Sequence, residues 1–201
     1  MTRTRSTTPP QSGDKAVSTA AASAANAANI VDHLRPLYFL RFGFAAAWAA
    51  AFAALGSSLD AGSITLLILY PAFDVASAIT DARSSRDRAL YVNVAVSTAA
   101  AIGLAVAAAD DIPAVLRIWG LWAIVAGSVQ LVVALKRRRE LGGQVAMILS
   151  GGISVIAGAG FLGQAGDATS MKVLAGYAAL GGVFFLISAV RLLRQGNQNP
   201  I

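Results

Sequence analysis

Two ionisable residues interrupt long apolar runs of this chain: Arg41 within FLRFGFAAAWAAAFAAL and Asp74 within SITLLILYPAFDVASAIT. An unpaired charge at the centre of a bilayer costs about 2.5–3.5 kcal/mol, so such residues face a protein interior and find partners. We expect Arg41 and Asp74 to pair. Ser77 lies one turn after Asp74, while Asn93, Gln130 and Gln144 fall at similar distances from the basic ends of their own apolar runs. These six residues are expected to form one polar layer. Pro71 lacks a backbone donor and is expected to open carbonyls near Asp74, which would suit a proton or small cation. The layer therefore has two readings: a protonatable centre in a small transporter or channel, or a structural ion pair with hydrogen bonds that hold helices in register.

Other chemistry is absent from the pattern. Gly158 to Gly163 matches G-x-G-x-x-G but closes an apolar run instead of joining a strand to a helix, so no dinucleotide site is expected. Ser150 and Ser154 lack a base at their depth, because the single histidine, His33, lies beside Asp32 and Arg35 outside the runs. His33 reads as a solvated juxtamembrane residue. With no cysteine there is no thiolate ligand or disulfide, and no cofactor, metal or catalytic residue is expected. The net charge of +6 resides in short clusters beside apolar runs, without an aromatic RNA-binding signature, so no nucleic-acid partner is expected.

The elements that must position the layer are membrane spans. Hydrophobic residues make up 56% of the 201-residue chain and charged ones only 13%, too apolar for an ordinary soluble domain. A hydrocarbon core of about 30 Å takes about 20 helical residues, and spans are expected near 36–57, 63–82, 89–109, 112–135, 142–163 and 170–192. The fold class is thus all-α: a polytopic membrane bundle of six transmembrane helices, built as three parallel two-helix hairpin repeats. The domain plan is a disordered cytoplasmic segment 1–28, a membrane domain 29–194 with hairpins 36–83, 88–139 and 141–192, and a cytoplasmic tail 195–201.

Charge fixes the expected orientation. Arg83, Arg86 and Arg88, then Lys136, Arg137, Arg138 and Arg139, then Arg191 and Arg194 share one side with the N-terminal Arg3 and Arg5, while Asp60, Asp110, Asp111 and Asp167 mark the other. The positive-inside rule places both termini in the cytoplasm of an inner (plasma) membrane. Lys136 to Arg139 are expected to meet anionic lipid headgroups. Arg117 reads as snorkelling; Trp119, Trp122, Tyr38 and Tyr91 read as interfacial belt residues, and Trp48 as packed.

The repeat shows when the fourth span is slid onto the sixth: Gly127 meets Gly182, Leu131 meets Leu186, Ala134 meets Ala189 and Lys136 meets Arg191. Small residues recur at helical spacing at Ser150, Ser154 and Gly158 and at Ala178 and Gly182, a pattern that lets helix backbones approach. Packing inside one bundle is the first reading, and a homo-oligomer the second.

The stretch GLWAIVAGSVQLVVALKRRRELGGQVAMILSGGISVIAGAGFL, followed by LAGYAALGGVFFLISAVRLL, resembles the HdeD-like membrane proteins, whose two-helix unit repeats three times. The likeness spans 112–194 closely and 36–83 loosely. It implies a six-helix inner-membrane protein, non-enzymatic, with a role in membrane organisation or stress tolerance; the family's namesake is linked with acid resistance. The first hairpin departs from the pattern, with Asp74 at the place of the usual glycine and Pro71 before it.

Overall fold

The computed structural model describes residues 12–196. Six α-helices run in chain order: α1 Ser12–Leu55, α2 Ala61–Ser85, α3 Ala89–Ala107, α4 Ile112–Arg137, α5 Gln144–Gln164 and α6 Val173–Gly196, with a 3-10 turn at Ala165–Asp167. Among the described residues there is no strand. Each helix contains a segment long and apolar enough to cross a membrane, in α1 the part from Ala28 to Leu55. The protein is therefore a multi-pass membrane bundle, as the apolar runs require.

Residues 12–28, expected to be disordered, instead continue α1. The alanines between Ala16 and Ala28 are the strongest helix formers, and no Pro or Gly interrupts them. Residues 1–11 and 197–201 lie outside the described part.

Helix ends follow local chemistry. Asp60 caps α2: its Oδ1 accepts from the Ser63 amide at 2.9 Å, and Ser63 Oγ accepts from the Asp60 amide at 3.0 Å. Asp111 caps α4 by the single bond its Oδ1 accepts from the Ala114 amide at 2.7 Å. Gly143 opens α5 with φ +73°, and a Cβ there would stand 2.8 Å from the Ser188 carbonyl oxygen, so both conformation and space demand glycine.

The six helices close a ring in which α1 packs on α2, α2 on α3, and so on round to α6 on α1. Packing is most extensive for α2 with α3, α4 with α5 and α6 with α1, and lighter for the three intervening pairs. This alternation has threefold regularity. The α4–α5 seam is the tightest, because glycines face each other: a Cβ on Gly158 would lie 2.5 Å from the Gly120 carbonyl oxygen, and one on Gly127 would lie 2.7 Å from Ser154 Cβ. Gly182 of α6 similarly faces Ala45 of α1, and Ala178 is fully buried.

Large aliphatic side chains point outward, with Ile156 73% and Val106 69% exposed. Facing lipid is the arrangement that makes such a surface favourable. The half of the ring near the acidic loops is filled by Trp48, Phe52, Leu67, Leu104, Trp119 and Leu174 among others. The half near the basic loops has its own apolar packing, including Leu34, Leu37, Met147, Phe185 and Leu192, and beside it lies a cavity where the polar residues gather.

Candidate functional site: a polar chamber in the basic half

Asp74 is 5% exposed and anchors the site. Its Oδ1 accepts from Arg41 Nη2 of α1; its Oδ2 accepts from Asn93 Nδ2 at 2.7 Å and from Ser97 Oγ at 2.8 Å, both on α3. Trp122 Nε1 of α4 donates to that serine at 2.9 Å. Side chains of α1 and α3 thus converge on a carboxylate of α2, and α4 joins them through Ser97. The Arg41 guanidinium also lies over the Phe185 ring of α6, 4.3 Å from its centre.

The expected pair of Arg41 and Asp74, and their union with Asn93, are present. The rest of the expected layer divides. Ser77 is buried but is not among the hydrogen-bond partners of Asp74 among the described residues. Gln130 donates to the Met147 carbonyl at 3.1 Å, tying α4 to α5, and Gln144 donates to the Gly142 carbonyl at 3.1 Å. Both glutamines line the same chamber without touching the carboxylate. Ser97 and Trp122 take the places expected of them. The signal for Ser97 was its position one helical turn after Asn93, on the same face.

The backbone before Pro71 also contacts α1. The Leu66 carbonyl, one residue before the carbonyl that Pro71 leaves without its helical donor, accepts from Trp48 Nε1 of α1 at 2.7 Å.

A second buried ion pair lies nearer the basic loops. Arg137 donates to both oxygens of Asp81, Nη1 to Oδ2 at 3.0 Å and Nη2 to Oδ1 at 2.7 Å. Arg137 is therefore not a headgroup contact as expected: it is 8% exposed and turned inward to α2. Lys136 reaches Asp87 at 3.4 Å, while Arg138 and Arg139 remain exposed.

The belt expectation also needs correction. Tyr91 and Arg117 are exposed, but Tyr38, Trp119 and Trp122 are buried. Trp119 and Trp122, one turn apart on α4, face inward and stack around Tyr70 and Trp48, with ring centres 5.2–5.9 Å apart. Tyr70 and Trp122 of this group floor the chamber on the side of the acidic loops, with Trp48 and Trp119 packed behind them.

The chamber itself measures about 100 Å³, and all six helices contribute to its wall. That is room for a few waters or one small solute. It spans the depth from Arg137 and Asp81 to Tyr70 and Trp122. Ser154 of α5 accepts from Tyr177 Oη of α6 at 3.1 Å and closes the wall between those helices. Ser150 lines the chamber beside it. Among the described residues no group of three His, Cys, Asp or Glu side chains is placed to hold a metal ion.

Beyond these residues, no protein-family model, curated protein or solved structure matches the chain.

Proposed function

We propose that this is a non-enzymatic inner-membrane protein of the HdeD-like kind, with both termini cytoplasmic, serving membrane organisation or stress tolerance, acid stress included. The observation that carries this reading is the commitment of both buried carboxylates to arginines of other helices, Asp74 to Arg41 and Asp81 to Arg137. Charges so placed tie α1 and α4 to α2, and Asn93 and Ser97 add α3 through the same Asp74 carboxylate. The threefold alternation of helix packing supports three like hairpins around an axis along the membrane normal. The basic loops support the cytoplasmic side for both ends.

Acid challenge of cells lacking the protein tests it. Survival should be restored by the native chain and, in part, by one carrying Asp81→Arg with Arg137→Asp, since a lock depends on the pair and less on its polarity. Equal survival with and without the protein would remove the stress role.

The chamber favours a second reading, a transporter or channel for protons or small cations. Its aromatic floor opposes a continuous path. Purified protein in liposomes containing a pH-sensitive dye separates the two: the lock predicts no proton flux above empty liposomes, and the carrier predicts flux lost on Asp74→Asn.

A further inference from the structure

Whichever of those readings holds, the two arginines of the chamber are not equivalent. Arg137 spends both terminal nitrogens on Asp81. Arg41 spends one, Nη2, on Asp74, and its remaining N–H groups have no partner among the described residues although the side chain lines the chamber. The Phe185 ring lies under its Cζ at 4.3 Å, and with a single hydrogen bond from Nη2 the guanidinium keeps one edge unspent. Two parallel N–H groups on such an edge match the two oxygens of a carboxylate.

We propose that the chamber binds a small monocarboxylate at the free edge of Arg41, together with one proton. Size limits the ligand to a few heavy atoms, given about 100 Å³. Charge requires the proton. The two ion pairs already cancel, so an added anion alone would leave one uncompensated negative charge in a low-dielectric interior. Transfer of a proton from the aqueous phase to Oδ1 of Asp74 forms one O–H bond, releases Arg41 to the incoming anion and keeps the chamber neutral, while Oδ2 retains Asn93 and Ser97.

The titratable and charged groups around this carboxylate are Tyr38 and Arg41 from α1, Tyr70 and Asp81 from its own helix, Arg137 from α4 and Tyr177 from α6. α3 and α5 contribute only neutral polar groups to the chamber, Asn93 from the first and Gln144, Ser150 and Ser154 from the second. Asp74 is the carboxylate that shares an arginine with the proposed ligand, which makes it the proton acceptor.

The test uses the full chain in lipid nanodiscs, titrated with sodium formate against sodium chloride at equal ionic strength. Formate should bind saturably and more tightly as pH falls, with a limiting slope of about tenfold in the dissociation constant per unit of pH, that of one proton taken up. Asp74→Asn, a fixed mimic of the protonated acid, should bind formate with no such slope. Gly181 lines the chamber and a Cβ there meets nothing within 4 Å, so Gly181→Val fills space without a backbone clash and should abolish binding. Arg41→Lys, which keeps the charge but loses the fork, should weaken binding at least about tenfold. Equal responses to formate and chloride, a pH-independent native chain, or undiminished binding by Gly181→Val would each overturn the proposal. If Arg41→Lys does not fold, the Gly181→Val and Asp74→Asn results decide alone.

Discussion

Arg137 of α4 meets Asp81 of α2 fork to fork, with Nη2 2.7 Å from Oδ1 and Nη1 3.0 Å from Oδ2. This contact joins helices that are not ring neighbours in their main packing, across the basic mouth of the chamber. Removing one partner strands the other charge among buried groups, so Arg137→Leu should destabilise the bundle by about 3–5 kcal/mol. Thermal unfolding in detergent measures it. The exchange of both residues should recover a substantial part, whereas equal losses for single and double variants would show that the pair does not act as a unit.

The chain from Trp122 to Ser97 to Asp74 is a second unit. Ser97→Ala deprives both the indole and the carboxylate of a partner and should cost about 1–3 kcal/mol. Because Trp122 acts through that serine, Trp122→Phe and Ser97→Ala should be non-additive, with a coupling of about 0.5–3 kcal/mol in a double-mutant cycle. Strict additivity would mean that the indole and the hydroxyl contribute separately.

Glycines on the α4–α5 seam should be sharply distinguished from those on the lipid face. Gly158→Ala places a methyl 2.5 Å from the Gly120 carbonyl oxygen, and the helices must separate. A loss of about 1–3 kcal/mol is expected from such overpacking. Gly152→Ala meets nothing within 4 Å and should be neutral or slightly stabilising in the same unfolding measurement.

The Asp60 cap gives a pH dependence outside the spans. The Ser63 backbone amide first, and the Ser58 hydroxyl after it, hold the Asp60 carboxyl below the ordinary carboxylate range. A depressed folded-state value means that the cap's stabilisation is fully present above the unfolded value and is lost as pH falls through the folded one. Hydrogen exchange at the Ser63 amide should therefore quicken, relative to the intrinsic rate, only at strongly acidic pH, and Asp60→Ala should abolish that dependence.

Much of this arrangement is legible in the residues, for identifiable reasons. Lipid forbids lone charges, so Arg41 and Asp74 had to meet, and run lengths had to become helices. Asp81 and Arg137 escaped notice because each stands near a basic end, where charges are ordinary. The available signal was register: Asp81 lies two turns beyond Asp74, and Arg137 two turns beyond Gln130, on the faces that bear the layer. Trp119 and Trp122 were misplaced because nearness to a span end says nothing about which face a ring occupies. Their inward direction depends on Trp48 and Tyr70, which come from other helices. The helical course of residues 12–28 shows alanine content prevailing over the polar composition that suggested disorder.

The central claim is that six helices cross a bilayer with all basic loops on one side. The chain has no native cysteine, so single reporters can be added without background. Arg88→Cys and Arg139→Cys mark two basic loops, and Ser58→Cys, Asp110→Cys and Asp167→Cys mark the acidic ones. A membrane-impermeant maleimide applied to intact cells should label the acidic-loop set and reach the basic-loop set only after the membrane is permeabilised. Labelling of both sets from the outside, or of neither, would contradict the account.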